Sequence, residues 1–414
     1  MRLLFFGDMA PTGFGTVTTD LGRELLAIGH DLRFVSQNDI GDLQEPFLSR
    51  TFAVDPAVTD PNMVAAFGSN SLSLTAEGLA GLFNGRLWSD GWIPDACILL
   101  GDFMNTRRMV MTDEQTIAAF RSVPTYHYVP IEGIDLPPRW AELWEIISPI
   151  AMSNFGAEQI QSVTGSLPPM VYHGVDTEIF RPVSPEKPLY LEGRKLRDKE
   201  SCRRFFGANP GTRWIFRADR NMPRKRYGSL LRSMAPVLAR RPDVFLVIHC
   251  LTNDQGGNLR DQISKLHPSL RTRVILTGLQ DQWGVVPREL LIALYNAADV
   301  YASPSAEGFG LTLAEAMACG VPAVGMAYSS VPEVIGPGGL LAPVNHLVDN
   351  EYDHAWAAVD EKAFGDQVAR LLDDPKLRRD MGQAARAHVR ASFDWAKAAL
   401  QFSAIIHERA AVAA

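Results

Sequence analysis

Lysine is missing from the first 180 residues of this 414-residue chain. That stretch carries nine arginines against 22 acidic residues, a net charge of −13, whereas the rest carries 31 basic and 25 acidic residues, a net of +6. A polyanion or an anionic membrane surface would be repelled by the first part at Debye-length range, which disfavours nucleic acid and lipid docking there. Cysteine is almost as scarce. Cys97, Cys202, Cys250 and Cys319 stand far apart without a Cys-x-x-Cys pair, which argues against a zinc site or a disulfide framework and fits a reducing cytoplasm. There is no Asp-x-Asp metal motif. No apolar run reaches the ~18 residues of a membrane span, and there is neither a fixed-period repeat nor a low-complexity tract. Met1–Asp8 holds a short apolar run without a small-residue cleavage site, and so reads as a first β-strand rather than a signal peptide.

What is present is alternation. Leu3–Phe6 predicts a buried strand, Val17–Ile28 a helix with apolar residues at Val17, Leu21, Leu25 and Ile28, and Leu32–Val35 the next strand, a βαβ unit that implies a parallel sheet. Further strands are expected at Ala96–Leu100, Thr125–Val129 and Pro149–Met152; the stretch from Gly41 to Trp92 gives no clear reading. The second half repeats the style, with strands at Trp214–Arg217, Val244–Ile248, Val274–Thr277, Val300–Ala302 and Ala323–Met326 between helices at Gly228–Ala239, Glu289–Ala297 and Leu311–Cys319. Length and pattern together predict two doubly wound α/β domains. The change of charge sign near residue 180 marks their boundary, and the positive half is the one suited to the more anionic ligand.

Two segments carry chemistry. In Ser303–Pro322 a strand runs into the loop Glu307-Gly308-Phe309-Gly310 and then into a helix that stops at Gly320. This aims the backbone N–H groups of a helix N-terminus at the C-terminal edge of a parallel sheet, where an anion is favoured. Glu307 and Glu315 frame that anion site but would repel phosphate; acceptor-only carboxylates suit hydroxyl donors. A ligand with a diphosphate in the middle and hydroxyls at both ends, a nucleotide sugar, satisfies both demands. The second segment, Ala218-Asp219-Arg220-Asn221-Met222-Pro223-Arg224-Lys225-Arg226, follows the strand Trp214–Arg217. A basic loop at a strand's C-terminal edge suits a diphosphate, Arg by its fork of donors and Lys by its mobile point charge. Arg224 and Arg226 read as solvated surface cations.

Glu307 to Glu315 resembles the Glu-x7-Glu signature of the retaining glycosyltransferases of family 4, which have the GT-B fold, and the flanking Pro304-Ser305, Ala316–Pro322 and Glu333-Val334-Ile335 are similar too. The resemblance implies two Rossmann-like domains facing across a cleft: an acceptor domain at 1–178, a nucleotide-sugar domain at 179–392, and a C-terminal helix at 393–414 that crosses back to the first. It assigns Glu307 to the hydroxyls of the donor sugar, Glu315 to the ribose, and the backbone of Gly308, Phe309, Gly310, Leu311 and Thr312 to sugar and phosphate. Arg220 and Lys225 resemble the family's Arg-x4-Lys diphosphate pair, although Arg226 stands where relatives often have glycine. The Gly13-Phe14-Gly15 loop looks like the family's glycine loop, and His127 resembles its active-site histidine. Glu132 and Asp102 are weaker candidates for the acceptor side. His173 replaces a frequent asparagine and receives no catalytic role, while Asp299, Pro304 and Ser305 match packing or loop positions.

The reaction so implied moves a hexose-type sugar from a UDP- or GDP-sugar to an acceptor hydroxyl with retention, without a metal or a permanently bound cofactor. The leaving phosphate takes the acceptor proton, so no protein base is needed. The charge of the first domain points to a neutral or cationic acceptor. A nucleotide-sugar epimerase of the same fold and a non-catalytic nucleotide-sugar-binding protein are the alternatives.

Overall fold

Strands buried on both faces need helices on both sides, and the apolar runs of this chain build two sheets of that kind. The computed structural model describes residues 1–10, 12–36, 45–53, 76–279, 286–350 and 352–413. It divides into two units: Met1–Ile131, Asp135–Gly174 and Trp395–Ala414 form the first, and Glu132–Ile134 with Val175–Asp394 the second. The chain therefore enters the second unit at 174/175 rather than at 178/179, and residues 132–134 belong to it although both their sequence neighbours belong to the first.

The first sheet holds β1 (Arg2–Gly7), β2 (Asp31–Ser36), β3 (Thr51–Ala53), β4 (Ala96–Leu100), β5 (Thr125–Val129) and β6 (Ser148–Ala151), in the order β3-β2-β1-β4-β5-β6 with every pair parallel. The strand order reverses beside β1, so a crevice opens at the carboxyl end of β1. There the helix Gly13–Ala27 begins, capped by the Thr12 side chain on Gly15 N. A Cβ at Gly15 would lie 1.7 Å from the Ala10 carbonyl oxygen, whereas one at Gly13 would meet nothing within 4 Å. The first glycine of the Gly-x-Gly loop is thus sterically free and the second is obligatory. The last helix, Trp395–Ala413, packs on Gly13–Ala27 within this unit. Its Trp395 stacks on His173 at 5.7 Å and its Phe402 meets Tyr128 edge-on.

The second unit opens with a small antiparallel hairpin, β7 (Leu189–Leu191) and β8 (Arg194–Leu196). Its main sheet contains β9 (Arg213–Ala218), β10 (Val244–His249), β13 (Val274–Leu276), β14 (Val300–Ser303), β15 (Ala323–Met326) and β16 (Gly339–Ala342), again all parallel, in the order β13-β10-β9-β14-β15-β16. This repeats the topology of the first sheet, and its switch point falls between β9 and β14. Two more hairpins complete the unit, β11 (Asn253–Asp254) with β12 (Gly257–Asn258), and β17 (Val344–Asp349) with β18 (Ala355–Val359). Asp299 ties the start of β9 to β14 from below, accepting from Trp214 N at 2.8 Å and pairing with buried Arg203. The four cysteines are all buried thiols. No helix among the described residues is long and apolar enough to cross a membrane.

Gly15→Ala is expected to lower stability by about 1–3 kcal/mol through forced backbone displacement, and Gly13→Ala to change it by less than ~0.5 kcal/mol. Urea unfolding of the two variants separates these outcomes.

Candidate active site

β9 ends at Ala218, and the chain then turns through Pro223–Lys225 into the helix Tyr227–Arg240. The turn closes because Arg226 takes a left-handed conformation, φ 55°. That is the backbone a glycine would supply without strain, so arginine here preserves the glycine geometry at some energetic cost. Tyr227 donates its hydroxyl to the Asp219 carbonyl at 2.8 Å and fixes the loop from the helix side. Next to it, β14 runs into the loop 304–310, and Gly310, at φ 102°, starts the helix Leu311–Ala318. Ser329 and Ser330 hold this second loop. The Ser329 hydroxyl accepts from Glu307 N at 2.9 Å, and the Ser330 Oγ lies 2.8 and 3.0 Å from the carbonyls of Glu307 and Phe309. The Tyr301 hydroxyl, 2.7 Å from the Ala218 carbonyl and 2.8 Å from Thr312 Oγ1, ties both loops together.

The two loops converge on one ionic cluster. Lys225 Nζ donates to both carboxylate oxygens of Glu307, at 2.8 and 2.6 Å, and lies 2.8 Å from Asp219 Oδ1. Arg217, fully buried inside β9, donates to Asp219 Oδ2 at 2.7 Å and to Ser305 Oγ at 2.8 Å, and Ser305 in turn donates to Glu307 Oε1 at 2.7 Å. Arg224 Nη1 stands 3.3 Å from Glu307 Oε2 and 3.2 Å from Glu132 Oε1. Burial alone would push the Glu307 carboxyl up, but Lys225, Arg224 and Arg217 outweigh it and hold the group far below the usual carboxylate range, at about 2. Burial opposes the charge on Arg224 and Arg217 as well, and the surrounding carboxylates overturn it, raising both guanidinium groups. Glu315 is buried one turn inside the helix, where it accepts from the Tyr295 hydroxyl at 2.8 Å. Phe309 is buried edge-on against Phe393, while Leu311 and Thr312 stay half-exposed at the helix start. The first N–H groups of a helix have no intrahelical partner, so this end presents donors and a positive dipole beside the cluster.

The expected site residues lie in different surroundings. Arg220 does not join Lys225: its side chain is 59% exposed and pairs with Asp254 on the β11–β12 hairpin at 2.8 Å. Arg224, expected in solvent, is inside the cluster instead. His127 is a core residue of β5. Its Nε2 lies 3.2 Å from the Gly101 carbonyl, Trp144 donates to its Nδ1 at 3.3 Å, and burial lowers it to about 3. Both ring nitrogens are thus engaged in a neutral imidazole. Asp102 caps the helix Phe103–Val110 by accepting from Asn105 N. Gly13, Phe14 and Gly15 stand at the carboxyl end of β1 in the first unit. Arg217 and Asp219 were not expected at the site, and Glu132, expected only as a candidate for the acceptor side, pairs with Arg224. The first reads as core in an apolar strand, and no sequence spacing announces a pair 92 positions apart. Among the described residues no group of His, Cys, Asp and Glu side chains is arranged to hold a metal ion.

Because the Glu307 carboxyl is depressed from 4.5 to about 2 on folding, its contribution is complete above pH ~4.5 and is lost as the pH falls towards 2. Glu307→Gln leaves Lys225 and Arg224 short of a buried counter-charge and is expected to cost about 3–5 kcal/mol at neutral pH. It should also flatten the acid dependence of stability between pH ~5 and ~3. Melting temperatures of both proteins across that window check the sign.

Residues 198–388 match the family model of glycosyl transferases group 1. Over 254 residues the chain is 29% identical to a GDP-mannose-dependent monoacylated alpha-(1-6)-phosphatidylinositol monomannoside mannosyltransferase of Corynebacterium glutamicum, covering 59% of this chain and 58% of that protein. Over 243 residues it is 30% identical to a D-inositol 3-phosphate glycosyltransferase of the same species, covering 58% and 54%. The aligned stretch thus spans little more than half the length of these curated relatives. Among solved structures, Anabaena HepE in complex with UDP and glucose shares the fold with a TM-score of 0.69 at 16% identity, over 99% of this chain and 100% of that one. WaaG, a glycosyltransferase involved in lipopolysaccharide biosynthesis, does so with a TM-score of 0.64 at 13% identity, over 98% and 99%. Residues 198–388 are thus similar to the glycosyl transferases of group 1, and the chain as a whole shares the GT-B fold of these solved structures.

Proposed function

We propose that the protein is a retaining, metal-independent glycosyltransferase that moves a hexose-type sugar from a UDP- or GDP-sugar to an acceptor hydroxyl. The observation that carries this reading is the buried Lys225–Glu307 pair, flanked by Arg224 and Arg217, at the carboxyl ends of β9 and β14 beside the helix that starts at Leu311. As the sugar becomes oxocarbenium-like, negative charge grows on the leaving diphosphate. Lys225, Arg224 and the helix N-terminus supply preorganised positive charge for it in a site partly withdrawn from water, which is the work a divalent ion does elsewhere. Glu307, once Lys225 turns to phosphate, is an ionised acceptor for donor-sugar hydroxyls, and Glu315 is a second carboxylate suited to the ribose. The names of the relatives, one GDP-mannose-dependent and another bound to UDP, support a nucleotide-sugar donor. We assign Gly13, Phe14 and Gly15 to donor contact on the strength of the family resemblance, leave His127 out of the chemistry, and keep Arg220 only as a peripheral cation.

The leaving phosphate takes the acceptor proton, so no protein base is required. The relatives' names include phosphate-bearing acceptors; in this chain the −13 of the first 180 residues favours a neutral or cationic acceptor. Four buried thiols support a reducing compartment, the cytoplasm, as the setting of the reaction.

Lys225→Ala is expected to lower turnover on the order of a hundredfold or more, with donor hydrolysis or transfer in the wild type unaffected by EDTA. Near-normal turnover of the variant removes Lys225 from the mechanism, and activity abolished by EDTA and restored by Mg²⁺ or Mn²⁺ refutes metal independence. Product anomers read by NMR test retention. Activity that rises only with anionic vesicles or phosphorylated acceptors contradicts the acceptor class.

A further inference from the structure

The cluster is neutral by its own side chains. Three cations, Arg217, Arg224 and Lys225, face three carboxylates, Asp219, Glu307 and Glu132, each within ion-pair distance of at least one of them. Asp219 and Glu307 touch Lys225 directly and sit on the two loops that build the site. Glu132 arrives differently. It rides on the segment Glu132–Ile134, which is fastened to the start of β18 by a two-bond bridge: Ile134 N to the Ala355 carbonyl at 3.0 Å, and Ala355 N to the Ile134 carbonyl at 2.9 Å. Between them Gly133 leaves no room for a side chain, since a Cβ there would come within 2.3 Å of His354 and 2.5 Å of the Ala355 carbonyl. The backbone under Glu132 is therefore fixed. Its carboxylate reaches the same Arg224 nitrogen that faces Glu307, at 3.2 against 3.3 Å.

A nucleotide sugar has one charge on each phosphate. Cleavage leaves a nucleoside diphosphate whose terminal phosphate carries additional negative charge, because its second ionisation lies near pH 6. A purely cationic site would hold this product more tightly than the donor and slow its own turnover. We infer that Glu132 is a built-in competitor of the departing nucleoside diphosphate for Arg224: it pairs with the guanidinium when the site is empty and reclaims it as the product leaves. The inference rests on the nucleotide-sugar reading above. Glu132 acts here as a positioning residue, through Arg224, and lowers affinity most for the more highly charged ligand.

The test is calorimetric titration of UDP, GDP, ADP and TDP into wild type, Glu132→Gln, Arg224→Gln and the double variant. Glu132→Gln should bind the cognate diphosphate on the order of tenfold more tightly. Its product-inhibition constant should fall by a similar factor, and the gain should vanish in the Arg224→Gln background. Equal or weaker binding by Glu132→Gln, or a gain that persists without Arg224, overturns the inference. Arg224→Gln alone must bind more weakly, and unchanged affinity there also overturns it, even if Glu132→Gln fails to fold. A wild type that binds none of the four diphosphates rejects the nucleotide-sugar reading itself.

Discussion

A carboxylate withdrawn from water must either take up a proton or be surrounded by positive charge. Glu307 is 5% exposed, and the chain supplies Lys225, Arg224 and Arg217 around it. Everything local to the site follows from assembling that cluster. β9 and β14 must be neighbours, so that a loop leaving each one reaches the same point. Arg217 must be buried inside a strand to brace Asp219 and Ser305. Arg226 must accept a left-handed backbone so that Lys225 points inward. The doubly wound order of the second sheet, with its switch point between these two strands, meets the first requirement.

The cluster's own side chains balance in charge, and this shapes how it can act on a ligand. Cations already held by carboxylates are preorganised at little entropic cost, yet they are not free to bind an anion indefinitely. A diphosphate that displaces Glu307 from Lys225 releases an ionised carboxylate at the moment sugar hydroxyls arrive beside it. Glu132 applies the same logic to Arg224. On the proposed reading, charge on the protein and charge on the ligand exchange partners, and the local charge separation stays small throughout.

Much of this was legible in the residues. Strands buried on both faces show as largely apolar runs, so β1, β2, β4, β5, β9, β10, β14 and β15 could be read almost to the residue. The hairpin β17–β18 was not, because Val344–Asp349 is largely exposed and carries neither alternation nor an apolar run. The stretches 37–44 and 54–75, which include part of the unreadable region, and Pro11 of the glycine loop lie outside the described residues. In the site, Glu307 and Lys225 announce themselves by glycine-rich and basic loops at strand ends. Side-chain direction does not. Arg220 and Arg224 differ in sequence only by their place in a turn, and the turn sends one to Asp254 and the other to Glu307. His127 lies in a five-residue strand buried throughout, where a family match names a position but cannot tell a packed imidazole from a working one. Glu132 was legible only as an acceptor-side candidate; its pairing with Arg224 shows when its segment is seen to belong to the second unit.

The central claim is that Lys225 exchanges Glu307 for the donor's diphosphate. A crystal structure with the cognate nucleoside diphosphate bound tests it most directly. The account predicts phosphate oxygens on Lys225 Nζ and the start of the Leu311–Ala318 helix, with the Lys225–Glu307 separation opened beyond hydrogen-bond range from its present 2.6 Å. A diphosphate seated elsewhere, with the Lys225–Glu307 pair intact, would contradict it.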